Sequence, residues 1–280
     1  MIKNYSIFLK KNFSLVLLFF PLLTHAQINL SNYPAQSIGP NLNWYQIQLD
    51  SMWGGAQHIN VLEIHQSYHF SIAYQTDTLI KTSDFAKTNN AIAAINGGFF
   101  DMRNGGSVTQ LIVNQQQINT TPQKLIEQGN EILEGMIGIN AKGKLSVNSS
   151  VKSNKKKYHS LLITGPLLLL KGKPQELVDR KFNTDQHPRS CICTCKNGKT
   201  LMITTDGRHK EAAGFSLHDL TELATALGCK NAVNLDGGGS TTLWAKNATP
   251  NGVVNCPSDN KRFDHEGERP CANAILVLDL

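Results

Sequence analysis

Two stretches set a polar side chain and consecutive glycines at the end of an apolar run. Residues 234–244 read NLDGGGSTTLW, and residues 95–101 read INGGFFD. Glycine packs nothing and loses the most backbone freedom on folding, so adjacent glycines signal unusual dihedrals or the close approach of another group. Their bared N–H groups can form an anion-binding concavity. The Asp236 carboxylate beside them has the chemistry of a nucleophile, a base or a charge stabiliser. The alternative is that Asn96 and Asp236 cap their own turns, as both residue types do.

Three other polar clusters lie where strand-like runs begin or end: His187-Pro188-Arg189, Asp206-Gly207-Arg208 and Glu266-Gly267-Glu268-Arg269-Pro270. Arginine presents a planar fork suited to phosphate or carboxylate, while Asp and Glu can attack, accept protons or pair with arginine. Pairing of these residues among themselves at strand ends is the plainer reading. Ser240 is followed by Thr241-Thr242 and so lacks the second glycine of a nucleophile elbow. No lysine completes a P-loop, and no GxGxxG opens a helix.

Most of the elements that must position these residues read as strands. Residues 58–65 (HINVLEIH) and 70–75 alternate or run apolar in the strand manner. Residues 135–147 predict a hairpin turning near Lys142-Gly143, and residues 190–205 another turning at Asn197-Gly198. Residues 272–280 form a closing strand. One helix is announced by the capping box Ser216-Leu217-His218-Asp219, an apolar face of Leu217, Leu220, Leu223, Ala224 and Leu227, and Gly228 at its end. A second starts at Ser83-Asp84. Each helix leads into a buried strand that ends in glycines, so residues 89–100 and 229–240 repeat one device, with Asn96 matching Asp236. The repeat predicts that the two polar residues lie side by side in one pocket, with Arg189 and Arg208 on its wall.

The 280 residues begin with a basic segment (Lys3, Lys10, Lys11), a short apolar run over 13–23 and Thr24-His25-Ala26. That order is the signature of a cleaved signal peptide, 1–26, with a mature domain over 27–280 exported to the periplasm or the medium. The run is shorter than the ~20 residues needed to span a bilayer. No cysteine follows Ala26, so no membrane anchor is expected. The formal charge of +6, half of it from the three leader lysines, gives no case for a nucleic-acid partner. Lys152 and Lys155 to Lys157 read as a solvated loop. Cys191, Cys193 and Cys195 alternate along one strand and read as small core residues. Cys256 and Cys271 bracket a polar loop whose closure by a disulfide is expected to contribute ~3 kcal/mol.

With these motifs in view, the chain resembles the phosphodiester glycosidase family. AINGGFFD (94–101), GPLLL (165–169), HPRS (187–190), TDGR (205–208), NLDGGGSTT (234–242) and ERP (268–270) carry the resemblance, which runs from about residue 59 to 280. It implies a single α+β domain with a strand-rich mixed core and a few flanking helices. It also implies hydrolysis of a sugar-1-phosphodiester at the C1–O bond, with a glycan or glycosyl phosphate as substrate. On that reading Asp236 is the first choice of carboxylate, with Asp101 and Glu268 as alternatives. Arg189, Arg208 and Arg269 grip phosphate, and Asn96, Gly97, His187, Asp206, Gly237, Gly238, Ser240 and Thr241 complete the binding surface. No cofactor is expected, although Asp206 and Asp236 could hold calcium. Two other functions use the same residues: a non-catalytic envelope module that binds anionic glycan, and a phosphodiesterase that breaks P–O.

Overall fold

The computed structural model describes residues 28–151 and 153–279; the leader expected over 1–26, and Lys152, lie outside the described residues. Three antiparallel sheets pack around a shared core, with four short helices at their margins. The largest sheet has eight strands in the order Ala35–Gly39, Leu42–Met52, Gly55–Ile64, Thr200–Thr205, Arg189–Cys195, Cys229–Asn234, Leu167–Leu170 and Lys173–Pro174. A four-stranded sheet runs Leu243–Ala245, Ala93–Asn96, Asn273–Leu278, His69–Tyr74. The third sheet has five strands: Gln116–Asn119, Leu111–Val113, Ser160–Thr164, Gly135–Ile139 and Leu145–Ser149.

All three sheets contribute to the main core. Leu62, Ile192 and Val233 come from the first, Ile95 and Ile275 from the second, Leu111, Ile137 and Leu162 from the third. The outer face of the large sheet is covered by helix Leu217–Ala226, which buries Leu217, Leu220, Leu223 and Ala224. Helix Thr82–Thr88 covers the small sheet through Phe85 and Ala86. Strands whose residues are buried on both faces read as continuous apolar runs, which is why LLITGPLLL carries so little alternation.

The local expectations are met closely. Both hairpins form, with positive φ at Gly143 (68°) and Gly198 (82°), where a side chain would be strained. Ser216 and Asp219 close the capping box in both directions. The second helix begins one residue earlier than expected, at Thr82, with no side-chain cap from Lys81. Of the lysine run, Lys155 bonds Gln110 through Nζ at 3.1 Å and Lys157 lies over the Tyr158 ring.

The expected Cys256–Cys271 disulfide does not form. Both are buried free thiols, and the bond joins Cys193 to Cys229 instead. Cys229 opens the strand next to Arg189–Cys195, where a bulge between Thr194 and Cys195 brings its Cα to 5.8 Å from that of Cys193. The polar 256–271 loop is held by hydrogen bonds: Arg269 grips Asp259 through two of its nitrogens, and Asn260 bonds Asp264. Cys191 stays in the core, as expected.

Candidate active site

The two glycine-ended strands belong to different sheets, and their ends meet. Asn96 Nδ2 donates to the Asp236 carbonyl at 2.7 Å, and Asp236 N–H donates to the Gly97 carbonyl at 3.0 Å. Asn96 Oδ1 accepts from Ser190 Oγ at 2.6 Å and from Thr242 N–H at 3.1 Å. Asn96 is therefore a buried clasp between sheets, with its amide engaged by protein groups. Gly97 is demanded by Asn273, whose carbonyl oxygen would lie 2.9 Å from an added Cβ. Residues 140 apart in sequence thus sit side by side, as the repeat predicts.

The triple glycine forms a tight turn with Gly238 at φ 63°. Of the glycine N–H groups, that of Gly238 donates to the Pro188 carbonyl, while Ser240 N–H and Thr241 N–H close the turn on the Gly237 and Gly238 carbonyls. What approaches the turn is arginine, in one case already paired with a carboxylate. A Cβ at Gly238 would lie 2.9 Å from Arg208 Nη2, while one at Gly239 would meet Asp259 Oδ1 first and then Arg269 Nη2 at 2.5 Å. The glycines therefore form a floor on which the Arg208 guanidinium and the Arg269–Asp259 ion pair rest.

Asp236 lies two residues beyond strand Cys229–Asn234, where the glycine floor begins. Burial pushes its carboxyl up to about 6, against the opposing pull of the Ser240 hydroxyl, the Gly237 N–H and the Arg269 charge. Ser240 Oγ makes no regular hydrogen bond, yet lies close enough to favour the ionised carboxylate. Thr241 Oγ1 is likewise buried without a hydrogen-bond partner among the described residues. Both belong to fully buried residues, and buried hydroxyls of this kind normally find partners.

Arg189 is 2% exposed and donates to the carbonyls of Phe215, Phe182 and Asp185 at 2.8–2.9 Å. Its charge meets no carboxylate by hydrogen bond; burial, and then the nearby Arg208 charge, bring its pKa down to about 10. His187 is pushed down by burial and by both arginines, and its buried Nδ1 has no partner among the described residues. Arg208, exposed and at φ 63°, completes a cationic corner of Arg189, Arg208 and His187. The Arg208 charge is felt by the buried Arg189 and by the desolvated His187, and an anion bound nearby would relieve that repulsion.

The remaining expected residues have other duties. Asp101 caps its own loop, accepting from Arg103 N–H, Asn104 N–H and Asn104 Nδ2, which hold its carboxyl below the usual range. Glu268 accepts from Ser83 N–H at 3.0 Å in the first turn of helix Thr82–Thr88, and burial pushes its carboxyl up. Arg269 is tied to Asp259 while its charge reaches Asp236. Asp206 is fully buried against His58, Asn255 and the Cys256 N–H. It is thus grouped with a nitrogen and a sulfur donor, rather than with Asp236 in a calcium site. His58, Asn255 and Asn273 escaped the sequence reading. His58 opens the apolar HINVLEIH run but lies inside strand Gly55–Ile64, so no strand-end signal marked it.

Residues 89–278 match the family model described as phosphodiester glycosidase. Among solved structures, the fold is similar to the zebrafish N-acetylglucosamine-1-phosphodiester alpha-N-acetylglucosaminidase catalytic domain. That match has TM-score 0.66 and 21% identity, and covers 88% of this chain and 86% of that one. A hypothetical protein from Synechocystis matches at TM-score 0.66 and 14% identity, over 85% of this chain and 62% of that one. In sequence, the SPbeta prophage-derived uncharacterized protein YomE of Bacillus subtilis is 41% identical over 56 residues, which is 20% of this chain and 9% of that protein.

Proposed function

The chain belongs to the phosphodiester glycosidase family, and from that premise we propose that it hydrolyses a sugar-1-phosphodiester at the C1–O bond. One observation carries the reading. A carboxylate poised near pH 6 follows a strand whose glycine turn lies against the guanidinium of Arg208, with Arg189 and His187 close by. The diester's single negative charge would sit in the cationic corner. His187, disfavoured as a cation while the corner is empty, would become a better donor once an anion arrives.

Cleavage at C1 develops oxocarbenium-like charge, which the Asp236 carboxylate can stabilise, attack or serve by activating water. The phosphate monoester leaves as a stable anion, so the arginine charges take over much of the work of a general acid. Ser240, beside the Asp236 carboxylate, would hold it ionised for this role. We read the protein as exported, with residues 1–26 removed; the Cys193–Cys229 bond supports an oxidising compartment. No helix among the described residues is long and apolar enough to cross a membrane.

The test is turnover of an aryl glycosyl phosphate in ¹⁸O-labelled water. Label is expected on the sugar, with the phosphate monoester unlabelled. Label in the phosphate would move the protein to the phosphodiesterase reading, and absence of turnover across many glycosyl phosphates would favour a binding module.

A further inference from the structure

Beside the glycine floor, three donors of different chemistry converge from distant segments. His58 is the fourth residue of strand Gly55–Ile64, Asp206 follows strand Thr200–Thr205, and Cys256 lies in the loop after Leu243–Ala245. Their exposures are 4%, 0% and 7%. One imidazole nitrogen, one carboxylate oxygen and the thiol sulfur all lie within 4.8 Å of one another. We propose that His58, Asp206 and Cys256 bind a borderline-soft divalent cation of the Zn²⁺ class.

The donor set suits that ion. Mixed nitrogen, oxygen and sulfur ligands select zinc over magnesium or calcium, which prefer oxygen alone. Three protein ligands with a fourth position open form a common zinc arrangement. The outer shell is also in place. Asp206 Oδ1 accepts from Asn255 Nδ2 and from Cys256 N–H, both at 3.0 Å, while Asn255 is itself anchored by donating to the Thr241 carbonyl. Such second partners orient a metal ligand and are worth about 10–100-fold in affinity.

His58 Nδ1 and Asp206 Oδ2 share a hydrogen bond of 2.5 Å. Metal entry would open that contact by roughly 1 Å to reach tetrahedral ligand spacing. Binding would release the Cys256 thiol proton to solvent and leave thiolate, carboxylate and neutral imidazole on the ion. The site would clamp the turn that carries Arg208 to the loop that carries Arg269.

The test uses the full mature chain after chelation, with Co²⁺ and Zn²⁺ as probes and no substrate, so it is independent of the glycosidase reading. One Co²⁺ per chain is expected, with a thiolate-to-cobalt absorption band. Cys256→Ser should abolish the band and weaken Zn²⁺ binding by ~10²-fold, and His58→Gln should weaken it similarly. Cys195→Ser, in the other sulfur cluster, should change neither. Zn²⁺ should raise the Tm of the wild type and of Cys195→Ser alone. The proposal is overturned if the metal-free wild type takes up neither ion at micromolar concentration. It is equally overturned if the band vanishes only in Cys195→Ser. Should Cys256→Ser fail to fold, unchanged Zn²⁺ affinity in His58→Gln is by itself decisive against it.

Discussion

Replacing Asp236 by Asn should remove activity and at the same time make the protein more stable at neutral pH. The ordinary carboxyl value of 3.8 rises to about 6 in the folded chain, chiefly through burial. At about 1.4 kcal/mol per pH unit of pKa, that rise corresponds to roughly 3 kcal/mol of strain on the ionised form. The sign follows from linkage. Between the unfolded and folded values the native state holds the extra proton, so stability is greatest below about 4 and falls as pH rises through about 6. Asn cannot ionise and escapes that fall, although it changes the contact with Ser240 and gives up the attraction of Arg269. A gain of ~1–3 kcal/mol is therefore expected at pH 7.5, shrinking towards zero at pH 4. Urea unfolding of both proteins at the two pH values measures it, provided m is unchanged. Wild-type kcat/KM should rise through about pH 6, and the Asn variant should lose at least ~10²-fold in kcat. A variant less stable than wild type at pH 7.5 would refute the reasoning, since Arg269 and Ser240 would then outweigh burial. Near-normal turnover would pass the carboxylate role to Glu268, because Asp101 is committed to its own loop.

Arg208→Ala should weaken binding of a glycosyl phosphate with little effect on unfolding, because the side chain is exposed and makes no ion pair among the described residues. Arg189→Ala should do both, destabilising by ~2–4 kcal/mol as three carbonyls lose a buried donor; isothermal calorimetry and urea melts separate the two. Reducing the Cys193–Cys229 bond, which closes a separation of 36 residues, should lower stability by up to about 4 kcal/mol. Non-reducing peptide mapping should recover that pair linked, with Cys256 and Cys271 free in a denatured, alkylated sample.

Local features were legible because they depend on neighbours in the chain. Asn197-Gly198 sets a hairpin by its own dihedral preferences, and Ser216 with Asp219 starts a helix within one turn. The two helix-to-glycine units also announced themselves, since each repeats one pattern over about a dozen residues. Their likeness predicts that they meet in space, but only the packing of the sheets reveals that they lie in separate sheets clasped by Asn96. Which groups occupy the glycine floor was decided by tertiary structure, because Arg208 and Arg269 reach it from other strands. The disulfide was misjudged for the same reason. The 256–271 loop is polar, but hydrogen bonds hold it, while a bulge in the eight-stranded sheet sets Cys229 against Cys193. Asp206 shows the limit most plainly. Its partners lie 148 and 50 residues distant, and no local pattern encodes contacts whose geometry exists only after the sheets have packed.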